Sequence, residues 1–218
     1  MRKYSVVIFD LDGTLLNTLE DLRISINYAL KENEIDRNYS LDEIKYFTGN
    51  GVDMLISRAI ENSNNIELHQ KVKSSFRTHY MNSQYKNTIP YPGIIEVLKN
   101  LKRDNLFLGV LSNKPNSETI EIINKMFGDD LFDFVQGGIV GEPLKPNPKV
   151  INRLIEKNKF KKTDVLYIGD TDVDLEFSNN AGIDCAIVTW GFRKPEEVGK
   201  PKYFIDTAAQ ILDIITKI

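Results

Sequence analysis

The chain has an uninterrupted apolar run near its start, Val6-Val7-Ile8-Phe9, that ends in two aspartates, Asp10 and Asp12. Four β-prone residues without polar alternation are typical of a strand covered on both faces, as in a parallel sheet with helices on either side. Ligands bind at the carboxyl ends of such strands, and Gly13 lets the backbone turn away there. The pattern therefore predicts a buried strand that delivers two carboxylates to a site.

After Asp12 the apolar positions change to helical spacing. Positions 19 to 30 predict a helix with Thr18 as its N-cap, and Ser40 with Glu43 predicts a capping box that opens a second helix. Two further helical patterns run through residues 52–60 and 68–80. We therefore expect residues 16–88 to form an all-helical insertion above the Asp10–Asp12 turn.

From residue 94 onwards the pattern alternates between helix and strand. Strands are predicted at 106–111, near 134, and at 165–168, 185–188 and 203–205. Helices are predicted at 94–104, 117–127, 148–158 and 173–181, and at the carboxyl end. This alternation is typical of an α/β fold. We predict a Rossmann-like, doubly wound parallel sheet core, formed by residues 1–15 and 89–218, with the inserted helical domain at 16–88.

Composition narrows the class of protein. With 218 residues and 41% hydrophobic content, the chain can bury a substantial core. A net charge of −3 without long runs of one sign argues against nucleic acid or a membrane surface as partner. The single cysteine, Cys185, precludes an internal disulfide, and no segment has the length of a signal peptide core or a membrane span. We expect a cytoplasmic monomer or homodimer.

Three more segments place polar residues at or near strand ends. Ser112-Asn113-Lys114 offers a hydroxyl and amides, and 169–174 adds carboxylates. Between them Lys145 lies in a proline-rich stretch that favours an extended backbone. Each segment alone has an ordinary structural explanation as a turn or a helix start. Together, at one edge of one parallel sheet, they favour phosphate chemistry.

The two aspartates of the first segment repel each other. Both stay ionised only if a cation, amide donors or a lysine lies nearby, and otherwise one of them takes up a proton. A shielded aspartate can act as a nucleophile, and its partner can pass a proton to and from a leaving group.

These segments resemble the four motifs of the haloacid dehalogenase superfamily: Asp10-Leu11-Asp12-Gly13-Thr14, Ser112, Lys145, and Gly169-Asp170-x-x-x-Asp174. The resemblance implies a Mg²⁺-dependent phosphomonoester hydrolase with an aspartyl-phosphate intermediate. It implies that Asp10 attacks phosphorus, Asp12 serves as acid and then base, and Thr14 braces the loop.

The same resemblance implies the binding groups. Phosphate would be bound by Leu11, Asp12, Ser112, Asn113 and Lys145. Mg²⁺ would be held by Asp10, the carbonyl of Asp12 and Asp170, with Asp174 in support.

The helical insertion resembles the C1-type cap of phosphoglycolate phosphatases at Thr48-Gly49-Asn50-Gly51, at 76–80 and at 90–93. The resemblance implies a small phosphorylated metabolite such as 2-phosphoglycolate as substrate, with the four residues from Thr48 to Gly51 near it. The open alternatives are a pyrophosphatase, a nucleotidase, a sugar-phosphate phosphatase or a β-phosphoglucomutase-like mutase.

A non-catalytic protein that binds a phosphorylated metabolite is a further alternative, which the intact Asp10 and Asp12 argue against. Dehalogenation is disfavoured because a halide leaves without the proton that Asp12 would supply. Asn17 departs from the family pattern, since many members of the family carry an aspartate there. This residue either alters the cap hinge or simply starts a helix.

Overall fold

Residues 3–216 are described by a computed structural model. Its strands are β1 (Val6–Phe9), β2 (Leu16–Asn17), β3 (Ile89–Pro90), β4 (Phe107–Pro115), β5 (Phe134–Gly138), β6 (Val165–Gly169), β7 (Asp184–Val188) and β8 (Tyr203–Ile205). Its first five helices are α1 (Leu19–Glu32), α2 (Leu41–Phe47), α3 (Val52–Ala59), α4 (Ile66–Asn82) and α5 (Ile94–Arg103). The others are α6 (Asn116–Phe127), α7 (Lys149–Asn158), α8 (Asp172–Ala181), α9 (Pro195–Val198) and α10 (Ala209–Thr216), with a 3₁₀ turn at Lys162–Asp164.

Six of the strands form one parallel sheet in the order β5-β4-β1-β6-β7-β8. The chain builds outward from β1 in both directions, so the strand order reverses beside β1. In open α/β sheets the crevice at such a reversal is the usual ligand site. The predicted fold class, a doubly wound α/β sheet, is confirmed.

Strand β1 is buried on both faces, as its apolar run predicts. Val7 and Phe9 pack into a core that includes apolar residues of α5 and α10. Val6 and Ile8 face the other core, with residues of α7 and α8. The sheet is therefore a central layer between two layers of helices. Because helices cover both of its faces, the ends of the strands are where a ligand can reach it.

Helices α1 to α4 lie between β2 and β3, with apolar residues of α1 and α4 in one shared core. The two short strands pair antiparallel, Leu16 with Pro90 and Asn17 with Ile89. The chain thus leaves for the helical segment and returns from it side by side. The division into a core and a cap at 16–88 stays a prediction. No helix within residues 3–216 is long and apolar enough to cross a membrane.

The helix starts match the sequence patterns in one case and differ in another. Ser40 and Glu43 form the predicted capping box of α2. Thr18 occupies the N-cap position of α1, but its hydroxyl makes no capping hydrogen bond. Instead, Asn17 Oδ1 accepts from the Leu19 amide at 3.3 Å. This contact favours the interpretation that Asn17 helps to start helix α1.

The largest difference from the predicted elements is in β4. The sequence pattern predicts a strand that ends at Leu111, but β4 continues through Ser112, Asn113 and Lys114 to Pro115. Its register against β5 shifts between Leu111 and Pro115. Ser112, Asn113 and Lys114 therefore belong to an irregular end of β4. The pattern of apolar residues alone does not predict such an extension.

We expect Ile8→Ala to lower the free energy of unfolding by about 2–5 kcal/mol, because a buried side chain in a packed core is lost. Ile8 is 0% exposed in the centre of the sheet, whereas the control Ile66 is 78% exposed at the start of α4. Ile66→Ala should change stability by about 0.5 kcal/mol or less. Equilibrium urea unfolding measures both, and equal effects of the two substitutions would contradict this account of the core.

Candidate active site

Three adjacent strands bring the predicted acidic and hydroxyl residues together. Phe9 of β1 is level with Val110 of β4 and Ile168 of β6. Asp10 comes directly after β1, while Ser112 and Asp170 lie just beyond the level of Asp10 on the two neighbouring strands. Because all three strands are parallel, these side chains share one edge of the sheet.

A buried cluster of three carboxylates lies at this edge. Oxygens of Asp10, Asp170 and Asp174 are all within 4.8 Å of one another. Lys145, from the loop between β5 and α7, places its Nζ 3.0 Å from Asp10 Oδ1 and 2.7 Å from Asp174 Oδ1. The lysine side chain is only 3% exposed, so its charge is weakly screened by solvent. It also donates to the Tyr167 hydroxyl at 2.7 Å.

Asp174 is the most fully hydrogen-bonded of the three acids. Its Oδ1 accepts from Lys145, and its Oδ2 accepts from the amides of Asp170 and Thr171 and from the Thr171 hydroxyl. Asp10 accepts from the Leu11 amide at 2.7 Å and from Lys145, and Asp170 from the Phe192 amide at 2.7 Å. Asp174 therefore fixes the loop after β6, and Asp10 and Asp170 keep more of their oxygens available.

The pKa values differ accordingly. Burial raises the pKa of Asp10 to about 6, aided by the charge of Asp174 and opposed by Lys145. Burial and the Asp174 charge also raise the pKa of Asp170 well above its ordinary value. Burial acts in the same direction on Asp174, but Lys145 and the hydroxyl and amide donors outweigh it and lower the pKa of Asp174. Lys145 therefore compensates the charge of Asp174 more fully than the charges of Asp10 and Asp170.

Gly13 makes room for this arrangement. Its backbone has φ +83°, and a Cβ at this position would lie 2.2 Å from Asp170 Oδ2. Both the backbone angle and the space require glycine. The polar atoms beside it are carboxylate oxygens, which are the ligands that hard divalent cations such as Mg²⁺ prefer. The residues present fit such an ion.

A cleft lies above Asp10 and Asp12, with a volume of about 590 Å³ that includes its open mouth. Ser112 and Asn113 of β4 line it from the sheet side. Residues of α1, α3 and α4 line it from the other side. The predicted catalytic aspartates therefore open into a space enclosed by the helical segment.

Comparison with known proteins identifies the family. Residues 7–188 match the model of the haloacid dehalogenase-like hydrolases. The chain belongs to this family. It is 31% identical to a phosphoglycolate phosphatase of Pasteurella multocida, over 99% of this chain and 100% of that protein. It is 30% identical to one of Vibrio vulnificus strain CMCP6, over 98% of this chain and 97% of that protein. A crystal structure of a predicted phosphoglycolate phosphatase from Haemophilus somnus superposes with TM-score 0.91 at 30% identity, covering 98% and 99% of the two chains.

Thr14, predicted to brace the first motif of this haloacid dehalogenase-like chain, is fully buried. Its hydroxyl lies 3.4 Å from Asp170 Oδ1, and its carbonyl accepts from Trp190 Nε1 at 3.2 Å. It therefore connects the loop after β1 to the loops after β6 and β7, and it does not line the cleft.

Asn113 has its side-chain amide engaged by the protein. Its Nδ2 donates to the carbonyls of Gly49 and Lys145, and its Oδ1 accepts from the Lys145 amide. The side chain thus joins β4, the lysine loop and the helical segment. A contact of Asn113 with phosphate would have to use its backbone N–H.

Three of the four residues expected near the substrate, Thr48, Gly49 and Gly51, line the cleft. Asn50 does not, because its Oδ1 accepts from Arg58 of α3 at 2.8 Å. Arg58 also donates to the carbonyl of Phe47, which holds the start of this loop. Asn50 therefore fixes the loop from behind, and it does not face the cleft.

Lys114 is a cleft residue to which the sequence assigned no role. Its Nζ lies 3.2 Å from both carboxylate oxygens of Asp12 and 2.9 Å from the Tyr80 hydroxyl of α4. Burial acts to lower the pKa of Lys114, but the charge of Asp12 and the contact with Tyr80 raise it above its usual value. One signal was available: in an extended strand, residues two apart share a face, which places Lys114 on the side of Ser112.

We expect Mg²⁺ to raise the melting temperature of this protein at pH 7.5. Binding at a free concentration 100-fold above Kd adds about 2.7 kcal/mol, or about 5–10 °C for a chain of this size. The shift should be smaller at pH 5, because binding must then displace protons from Asp10 and Asp170, whose pKa values are raised.

Asp170→Asn should remove most of this shift, and Asp129→Asn, at an exposed position, should keep it. Differential scanning fluorimetry with and without Mg²⁺ measures both. An undiminished shift in Asp170→Asn would place the ion elsewhere.

Proposed function

We propose that this protein is a Mg²⁺-dependent phosphomonoester hydrolase that forms a phosphoryl intermediate on Asp10, with 2-phosphoglycolate as its substrate. The observation that carries the proposal is that Asp10 and Asp170, from adjacent strand ends, meet beneath one cleft, where Lys145 from the loop between β5 and α7 contacts Asp10. Two relatives at 30–31% identity over nearly the full chain, named phosphoglycolate phosphatases, support the substrate.

The proposed Mg²⁺ ligands are the carboxylates of Asp10 and Asp170 and the backbone carbonyl of Asp12. When bound, the ion supplies positive charge that lets an anionic nucleophile approach an anionic phosphate. Asp174 would act indirectly, because its hydrogen bonds to the Asp170 and Thr171 amides fix the loop that carries Asp170.

Asp10 is the proposed nucleophile. Lys145 at 3.0 Å neutralises part of its charge, and the Leu11 amide at 2.7 Å orients its carboxylate. In the first step an Asp10 oxygen forms a bond to phosphorus while the bond from phosphorus to the ester oxygen breaks. Ser112, loop amides and Lys145 would hold the other phosphoryl oxygens, which is a task of positioning and charge stabilisation.

Asp12 is the proposed acid and base. It gives a proton to the leaving ester oxygen in the first step. In the second step it takes a proton from the water that attacks phosphorus, which releases phosphate and restores Asp10. Asp12 lines the cleft with its side chain 19% exposed, so it can reach both the leaving group and water.

The cleft favours a small leaving group. Leu22 of α1, Leu55 of α3 and Phe76 of α4 form apolar walls over the aspartates. The loop at Thr48, Gly49 and Gly51 borders the same space. A bulky leaving group would require the helices to move away from the sheet, which favours a short phosphomonoester. Closure of helices over substrate also keeps bulk water from the reacting groups.

We expect Asp10→Asn to lower kcat for 2-phosphoglycolate and p-nitrophenyl phosphate by about 10³-fold or more, because the nucleophile is lost while the side-chain shape is kept. Phosphate release in the presence of Mg²⁺ measures the effect. Asp36→Asn, at an exposed position, is the matched control and should keep full activity. Retention of most activity by Asp10→Asn, with an unchanged melting temperature, would refute Asp10 as nucleophile.

A further inference from the structure

Lys114 lies at the junction of the sheet and the helical segment. Its side chain is only 4% exposed, yet it forms part of the cleft wall. It contacts Asp12 from the sheet side and the Tyr80 hydroxyl from α4, and its Nζ lies 4.5 Å from the centre of the Tyr80 ring. A lysine held between two elements in this way presents a fixed positive charge to the cleft.

No other cation lines this cleft among residues 3–216. Lys145 lies beside Asp10 and Asp174, where the phosphoryl group would bind. Glu118 also lines the cleft, but its carboxylate is paired with Arg77 Nε of α4 at 2.8 Å. The charge available to a leaving group on the Asp12 side is therefore the positive charge of Lys114.

The direction of the reaction places the leaving group beside this charge. Under the proposed mechanism Asp12 protonates the ester oxygen, so the atoms beyond that oxygen lie on the Asp12 side of the cleft. Lys114 Nζ is one hydrogen-bond length from Asp12, at 3.2 Å. A carboxylate attached to the carbon next to the ester oxygen would come within reach of Lys114.

We propose that Lys114 binds a carboxylate of the leaving group and so makes the enzyme selective for 2-phosphoglycolate over uncharged phosphomonoesters. This inference rests on the proposed phosphatase function and assigns its specificity to one side chain. The alternative is a purely structural role, in which Lys114 would only hold Asp12 in position.

The contacts of Lys114 leave room for such a ligand. Both of its distances to Asp12 are 3.2 Å, longer than the 2.7–2.9 Å that is typical of a strong ammonium–carboxylate hydrogen bond. Lys114 Nζ has three oxygen contacts, two of which go to the one carboxylate of Asp12, so a ligand oxygen can take one of these two places while the lysine keeps Asp12 and Tyr80 as partners. The apolar walls formed by Leu22, Leu55 and Phe76 strengthen a charge pair in the cleft.

The test compares 2-phosphoglycolate with 2-hydroxyethyl phosphate, in which an uncharged hydroxymethyl group replaces the carboxylate. The wild-type protein should have the higher kcat/KM for 2-phosphoglycolate. Lys114→Met should lower that value by about 100-fold and should affect 2-hydroxyethyl phosphate far less, because only one of the two substrates carries the charge that Lys114 binds. Glycolate should inhibit the wild-type protein competitively, and this inhibition should be absent in Lys114→Met.

Lys71→Met is the matched control, because Lys71 is 61% exposed on α4, where it pairs with Glu67 of the same helix. It should leave both kcat/KM values unchanged. Equal losses on the two substrates in Lys114→Met would mean that the lysine acts only through Asp12, and would overturn the inference.

The wild-type protein provides a second test that does not depend on how Lys114→Met folds. Hydrolysis of both substrates with equal kcat/KM would overturn the assignment of Lys114 while leaving the phosphatase function in place. Failure to hydrolyse either substrate or p-nitrophenyl phosphate with Mg²⁺ would overturn the phosphatase function, and this inference with it.

Discussion

The ion pairs of Lys145 are the interaction on which the site depends. Asp10, Asp170 and Asp174 bring three carboxylates within 4.8 Å of one another in a buried place. Without a cation such a cluster would take up protons, because burial and mutual repulsion both disfavour its charged form. Lys145 supplies one positive charge between Asp10 and Asp174, and the Tyr167 hydroxyl fixes its position. One lysine cannot balance three carboxylates, and this remaining negative charge is what a divalent ion at Asp10 and Asp170 would neutralise.

The fold explains why these groups meet. Strand β1 lies between β4 and β6, so residues distant in the chain end at the same level of the sheet. Gly13 then allows the loop after β1 to pass close to Asp170, where any side chain would clash with that carboxylate. The same turn leads into β2, which pairs with β3 and starts the helical segment. The loop that carries Asp10 and Asp12 and the helices above it are therefore connected through a few residues.

Much of this was predictable from sequence, because strand burial and acid spacing are local. The apolar run at Val6–Phe9 predicts a strand buried on both faces, and β1 is buried in this way. Asp10, Asp170 and Asp174 lie together at the edge of the sheet where the sequence predicts them. The contacts that were not predictable depend on tertiary packing. Lys114 and Tyr80 are 34 residues apart and meet only because α4 packs over β4. The engagement of Asn113 with Gly49 likewise depends on where the helical segment lies, whereas the contact of Asn50 with Arg58 lies within that segment and depends on the path of the loop before α3. Strands β2 and β3 are only two residues long each, which is too short to leave a periodic signal in the sequence.

The central claim is that Asp10 and Asp170 share one divalent ion beside Lys145. A crystal structure of the protein with Mg²⁺ and beryllium trifluoride, which imitates a phosphoryl group on aspartate, tests it most directly. We expect Mg²⁺ at about 2.0–2.1 Å from an oxygen of each of the two aspartates, with the fluoride adduct on Asp10 and in contact with Lys145. An ion bound by other residues, or an adduct on a residue other than Asp10, would contradict the account.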